Sequence, residues 1–122
     1  RVLAICYGLI ALGIVLLAMP WLGCMAAGIA LVTFGFFGGH SVASSWVGSR
    51  AGAMRAEASA LYLFAYYLGS SVAGVLGGVF YTHWDWLGVC GFVGVLTVAG
   101  GVIAWRLGQR VQPGTAALAL SR

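Results

Sequence analysis

The feature that most restricts the fold of this chain is a set of four long apolar runs. None of these runs contains an Asp, Glu, Lys or Arg. The runs extend over residues 2–19, 22–46, 58–80 and 87–105. A helix needs about 20 apolar residues to cross the hydrocarbon core of a bilayer, within a range of about 17–25. The runs are continuous rather than alternating, and each is longer than the roughly 9–11 residues of a barrel strand. The sequence therefore predicts an all-α membrane protein with four transmembrane helices.

The composition excludes two other classes of protein. Of the 122 residues, 62% are hydrophobic and 7% are charged, whereas an ordinary soluble domain is about 25% charged. Polar side chains are therefore too few to cover a freely soluble domain. The net charge of +4 comes from scattered Arg residues, which are too few to form a nucleic-acid surface. No nucleophile, phosphate-binding or metal-ligand motif occurs, so we expect no enzymatic activity, no catalytic residue, no metal and no cofactor.

The positions of the charged residues predict how the four helices are oriented. His83 and Asp85 lie between the third and fourth runs, whereas every Arg lies before the first run, between the second and third, or after the fourth. With four spans, all of these Arg residues lie on one side of the membrane. The positive-inside rule then predicts that both termini are cytoplasmic. The Trp residues lie at the predicted helix ends, where indole rings favour the membrane–water interface.

We expect two regions along the chain. Residues 1–106 are predicted to form the membrane domain, and residues 107–122, which include Pro113 and Gly114, are predicted to form a disordered cytoplasmic tail. The chain begins with Arg1 and enters an apolar run at once. We therefore expect it to be a piece of a larger protein.

Three side chains are candidates for a substrate or proton pathway. His40 is the only His, Asp, Glu, Lys or Arg inside a predicted span, and an ionisable group inside a membrane is a functional candidate. The alternative is a structural role, in which a neutral His40 bonds to Ser41, Ser44 or a carbonyl group. Tyr62 and Tyr66 are four residues apart and share a helix face. Their phenols either line a polar cavity or pack against neighbouring helices.

Small residues at a spacing of about four predict close helix packing in two spans. Such stripes let helix backbones approach each other. The predicted packing seam comprises Gly35, Gly39, Ser70, Gly74, Gly77 and Gly78. The seam serves packing alone or also lets helices slide between two transporter states.

Two segments of the chain resemble the major facilitator transporters. Residues 34–51, FGFFGGHSVASSWVGSRA, resemble the tenth helix and following loop of the family, in particular of its arabinose-efflux-type permeases of the bacterial inner membrane. Residues 58–78, ASALYLFAYYLGSSVAGVLGG, resemble the eleventh helix. The first and fourth runs fit the ninth and twelfth helices. The resemblance therefore implies the C-terminal fragment of a twelve-helix fold.

The resemblance also implies a function. Members of the family move small-molecule substrates by alternating access, usually in exchange for protons, so the resemblance implies proton-coupled export across a bacterial inner membrane. The implied partners are the lipid bilayer, the substrate and the missing N-terminal helices. The family fold places the second and third spans beside a central cavity and the first and fourth at its periphery. That placement favours His40, Tyr62 and Tyr66 as pathway residues.

Two alternatives remain open from the sequence. The length also suits a self-contained four-helix exporter that works as a dimer, like the small multidrug resistance proteins. Those exporters need a carboxylate inside their first helix, whereas the first run here has none and Glu57 lies at a predicted membrane edge. The other alternative is a non-transporting membrane scaffold, which would need no polar residues converging inside the bundle.

Overall fold

Almost every described residue lies in a helix. The computed structural model describes residues 2–111, in which α1 comprises Val2–Leu17, α2 Leu22–Arg50 and α3 Arg55–Val111, with a short 3₁₀ helix at Gly52–Met54. The predicted all-helical class with long apolar helices is therefore confirmed. The tail predicted for residues 107–122 lies outside the described residues from 112 onward, and α3 continues past the predicted start of that tail.

Pro20 separates α1 from α2. A proline has no backbone N–H and a fixed φ, so it ends the first helix. Trp21 then adopts extended backbone angles, with φ −112° and ψ 124°, before α2 begins at Leu22. Because the last residues before Pro20 form this turn, α1 ends at Leu17 rather than at the predicted Met19.

α3 folds back on itself at a break between its two arms. Trp84 has φ −136° and ψ 18°, and Asp85 has φ 53° and ψ −152°, which are not helical angles. A straight helix of this length would place Tyr62 and Leu107 about 68 Å apart. Both residues nevertheless border the same cavity. The chain therefore reverses direction at the break, and we call residues 55–83 the first arm of α3 and residues 86–111 the second arm.

The described chain thus has four helical segments at the places of the four predicted spans, but their lengths differ. α2 continues four residues beyond Trp46 to Arg50, and both arms of α3 extend beyond the predicted runs. The predicted limits followed apolar residues, whereas helical hydrogen bonding continues through polar ones. By length and composition, Leu22–Arg50 and Gly52–Gln109 could cross a membrane, and α1 is a shorter apolar helix.

Glycines bring α1 and α2 into close contact. A Cβ atom at Gly13 would lie 2.8 Å from the carbonyl oxygen of Gly28, and one at Gly28 would lie 2.8 Å from the carbonyl oxygen of Gly13. A Cβ atom at Gly35 would lie 2.7 Å from the carbonyl oxygen of Cys6. Side chains at these positions would therefore push the two backbones apart.

Contacts between the turns establish which ends of the segments lie together. The indole N–H of Trp86 donates a 2.7 Å hydrogen bond to the carbonyl oxygen of Leu17, so the α1–α2 turn lies beside the break in α3. At the link between α2 and α3, Nε of Arg55 donates to the carbonyl oxygen of Gly48 over 3.0 Å. The guanidinium of Arg50 lies 4.1 Å from the ring centroid of Trp46. Arg50 and Arg55 thus lie at the end of the bundle opposite the break.

The outer surface of the described chain is apolar. Cys6 and Cys90 are the only apolar side chains that are buried among the described residues, whereas Leu22 is 84% exposed and Phe34 is 74% exposed. A soluble domain would bury side chains of this size in a core. These helices instead present a continuous apolar exterior, which suits lipid or further helices.

Candidate substrate cavity

A cavity of about 740 Å³ lies between the four helical segments. Residues of α1, of α2 and of both arms of α3 border it. Six ring-bearing side chains contribute to its wall: Tyr7, Phe36, His40, Trp46, Tyr62 and Tyr66. Thr97 and a set of Gly, Ala, Cys and aliphatic residues complete the wall, and none of the described residues that border the cavity is Asp, Glu, Lys or Arg.

His40 and Tyr62 form a hydrogen bond between α2 and the first arm of α3. Oη of Tyr62 lies 3.0 Å from Nδ1 of His40 and 3.5 Å from the His40 carbonyl oxygen. Only the shorter contact has a length typical of a hydrogen bond. When Tyr62 donates this bond, Nδ1 accepts it and the proton of a neutral imidazole resides on Nε2. In that tautomer, one ring N–H stays available to a ligand.

Aromatic contacts extend from this pair. The ring centroids of His40 and Tyr66 are 4.8 Å apart, and those of His40 and Tyr62 are 5.4 Å apart. Phe36 lies one turn before His40 on α2 and stacks on it with a centroid distance of 6.0 Å. The structure therefore brings together all three predicted pathway residues, which the sequence places on two different helices.

The six predicted seam residues fall into two groups. Gly35 and Gly39 border the cavity, and Gly35 also lies at the close contact of α1 and α2. The other four lie on the first arm of α3: Ser70, Gly74, Gly77 and Gly78. Cβ atoms at the three glycines of this second group would meet nothing within 4 Å in the described part of the chain. These glycines therefore do not mediate a helix contact there.

Tyr7 is a cavity residue that sequence reasoning missed. It borders the cavity from α1, and a Cβ atom at Gly100 would lie 3.0 Å from its Oη, so the ring packs on the second arm of α3. The resemblance placed the first and fourth spans at the periphery, and the structure differs because both contribute to this wall. The available signal was a lone tyrosine inside an apolar run, since a buried phenol usually has a polar partner.

Comparison with known proteins identifies relatives of this chain. A 66-residue segment is 67% identical to the uncharacterized MFS-type transporter YybF of Bacillus subtilis, and this match covers 54% of the chain and 16% of YybF. A 77-residue segment is 52% identical to the inner membrane transport protein YnfM of Escherichia coli, covering 63% of the chain and 18% of YnfM. An uncharacterized transporter of Buchnera aphidicola is 47% identical over 76 residues.

The chain is related to MFS-type transporters. The resemblance inferred from residues 34–51 and 58–78 is thereby confirmed. The matched segments span less than a fifth of the length of these relatives. All three are named as transporters, and none is named as an enzyme. No family model matches the chain, and no solved structure matches it.

Proposed function

We propose that this chain is the C-terminal part of a larger major facilitator transporter, which exports a small solute by alternating access in exchange for protons. The observation that carries the proposal is the His40–Tyr62 pair at the wall of the cavity. An ionisable side chain inside an apolar helix is costly, and such groups commonly mark substrate or proton pathways. The relatives support transport through their names, and their greater length supports a larger protein rather than a self-contained four-helix exporter.

His40 is the proposed proton carrier. Histidine can change charge near neutral pH. Protonation places an N–H on both ring nitrogens, so Nδ1 must then donate to Tyr62 instead of accepting from it. The phenol proton turns away from Nδ1 and can approach the His40 carbonyl oxygen, which is 3.5 Å from Oη. A change of charge thus rearranges the hydrogen bond that joins α2 to the first arm of α3.

The proposal includes four membrane spans with both termini in the cytoplasm of a bacterium. Arg50 and Arg55 lie at the end of the bundle opposite Asp85, which supports one basic and one nearly uncharged membrane face. A membrane-impermeant maleimide should label Asp85→Cys from outside intact cells, in a background whose native cysteines are replaced by Ser. Ser49→Cys should react only after permeabilisation, and the reverse labelling pattern would refute this orientation.

The decisive test of transport uses the complete reading frame that contains this chain. An in-frame extension upstream of Arg1 that encodes eight further spans is expected. Everted vesicles carrying the product are energised, and solute-induced proton movement is followed with a pH-sensitive dye across a panel of sugars, aromatic compounds and metabolites. His40→Ala should reduce the response by about tenfold or more without changing membrane abundance, because it removes the proton carrier.

His83→Ala is the matched control for this experiment. His83 is exposed beside the break in α3, its Nδ1 lies 2.9 Å from the carbonyl oxygen of Val79, and it does not border the cavity. Its loss should leave solute-induced proton movement unchanged. An equal response from wild type and His40→Ala would exclude His40 from the mechanism, and a start codon directly before Arg1 would refute the larger transporter.

A further inference from the structure

The absence of charge on the cavity wall restricts the solutes that the site can accept. No Asp, Glu, Lys or Arg of the described residues borders the cavity. A charged ligand in this space would lose part of its hydration without gaining an oppositely charged partner, which costs free energy. While His40 is neutral, its Nδ1 accepts a hydrogen bond from Tyr62 and it adds no charge to the wall. The wall therefore favours an uncharged ligand.

The rings on the wall favour a flat ligand. His40, Tyr66 and Phe36 form a contiguous group, with centroid distances of 4.8 Å for His40–Tyr66 and 6.2 Å for Phe36–Tyr66. Aromatic faces and edges attract other rings through offset and edge-to-face contacts, in addition to their apolar area. A cavity of about 740 Å³ also lies within the range of roughly 300–1,000 Å³ typical of sites for small organic ligands.

Hydrogen-bonding groups on the same wall provide a place for one polar substituent. The phenols of Tyr7 and Tyr66 border the cavity, and within the described residues neither hydroxyl has a hydrogen-bond partner in the protein. The phenol of Tyr62 is already engaged with His40. Neither hydroxyl is a buried unpaired group, so both are accessible and can bond to a ligand or to water. Tyr66 combines such a hydroxyl with a ring that belongs to the aromatic group.

We propose that this cavity binds an uncharged, flat aromatic solute with a hydroxyl or similar hydrogen-bonding substituent, held by the rings of Phe36, His40 and Tyr66 and by the Tyr66 hydroxyl. This inference rests on the proposed transport function and specifies its class of substrate. The second arm of α3 and α1 border the cavity with small and aliphatic residues, together with Tyr7 and Thr97. The site thus recognises shape and one polar group rather than charge.

The test compares four probes with related ring systems on the complete transporter that contains this chain, in lipid nanodiscs at pH 7. The probes are 2-naphthol, 2-naphthoate, a naphthyl trimethylammonium ion and decahydro-2-naphthol, which keeps the hydroxyl but is not flat. Radiolabelled probe is displaced by excess unlabelled probe, and empty nanodiscs correct for partition into lipid. 2-Naphthol should bind saturably, and both charged probes should bind about tenfold or more weakly because their charge is uncompensated.

Two neighbouring tyrosines make a matched pair of variants. Tyr66→Phe removes the hydroxyl from the proposed contact, so it should weaken 2-naphthol binding by about 2- to 12-fold. Tyr67→Phe makes the same chemical change on a side chain that is 64% exposed and does not border the cavity. That variant should bind 2-naphthol like wild type. Decahydro-2-naphthol should bind several times more weakly than 2-naphthol, since it cannot stack on the rings.

Each of the following outcomes would overturn the inference. Tighter binding of either charged probe would show that the site takes ions, and equal effects of Tyr66→Phe and Tyr67→Phe would remove the contact to Tyr66. If none of the probes binds saturably, the proposed class of ligand is excluded. The assay measures equilibrium binding without transport, so its failure is distinct from failure of the vesicle experiment, in which solutes of every class are screened for proton movement.

Discussion

At the scale of single residues, the absence of a side chain determines how closely α1 and α2 approach. A Cβ atom at Gly35 would lie 2.7 Å from the carbonyl oxygen of Cys6 and 2.7 Å from Cγ1 of Ile10, closer than such atoms pack. A Cβ atom at Gly39, one turn later, would lie 3.7 Å from Cβ of Cys6, an ordinary van der Waals distance. Two glycines of the same helix face therefore differ in the free-energy cost of an added methyl group.

Gly35→Ala should lower the free energy of unfolding by about 1–3 kcal/mol, because the added methyl group overpacks the contact between α1 and α2. The measurement is reversible unfolding in mixed micelles with increasing denaturing detergent, followed by circular dichroism. Gly39→Ala is the control and should raise the free energy of unfolding by about 0.5–1 kcal/mol, because alanine favours the helix and meets only an ordinary contact. Equal destabilisation by both variants would show that the close approach at Gly35 is absent.

At the scale of elements, the break in α3 determines how its two arms meet. Asp85 has φ 53°, a conformation that costs free energy for residues other than glycine. After the break, the second arm returns close to the end of the first. A Cβ atom at Gly88 would lie 2.6 Å from Cβ of Trp84 and 2.7 Å from the carbonyl oxygen of Phe80. The rings of Phe80 and Phe92 stack across the two arms at 4.8 Å.

Gly88→Ala should open this junction and lower the free energy of unfolding by about 1–3 kcal/mol, since the neighbouring atoms include backbone that cannot move freely. Gly91→Ala, three residues later on the same arm, is the matched control. Its Cβ atom would meet nothing within 4 Å, and alanine stabilises a helix relative to glycine by about 0.5–1 kcal/mol. The same detergent titration measures both variants, and stabilisation by Gly88→Ala would contradict the observed junction.

At the scale of the whole molecule, the helix faces differ in whether they have a neighbour. Gly28 and Gly35 of α2 pack against α1, whereas Cβ atoms at three glycines on the first arm of α3 would meet nothing within 4 Å in the described part of the chain: Gly74, Gly77 and Gly78. If the chain belongs to a larger transporter, as proposed, this face is available to helices that the chain does not contain.

Gly74→Ala therefore has opposite expected effects in the two proteins. In the 122-residue chain it should stabilise the first arm of α3 by about 0.5–1 kcal/mol, because it adds helix propensity and meets no neighbour. In the complete transporter the same methyl group should be destabilising if another helix packs on this face. Unfolding of both proteins in the same detergent series measures the difference, and destabilisation of the short chain would show that the face is already occupied.

Local patterns in the sequence were enough to predict the helical class and the approximate positions of the four helical segments. Continuous apolarity is a property of short stretches of chain, so it can be read without a structure. The same patterns identified His40, Tyr62 and Tyr66 as candidates. They could not establish that the three side chains meet.

Only the packing of the helices determined that His40, Tyr62 and Tyr66 lie in contact. The packing also determined the reversal of the chain at Trp84 and Asp85 and the position of Tyr7 on the cavity wall. A soluble helix has one apolar face, which shows the direction of its core. These helices are apolar on every side, so their sequences carry little information on how each is rotated about its axis. Rotation depends on close contacts between residues far apart in the chain, such as Gly35 with Cys6 and Tyr62 with His40.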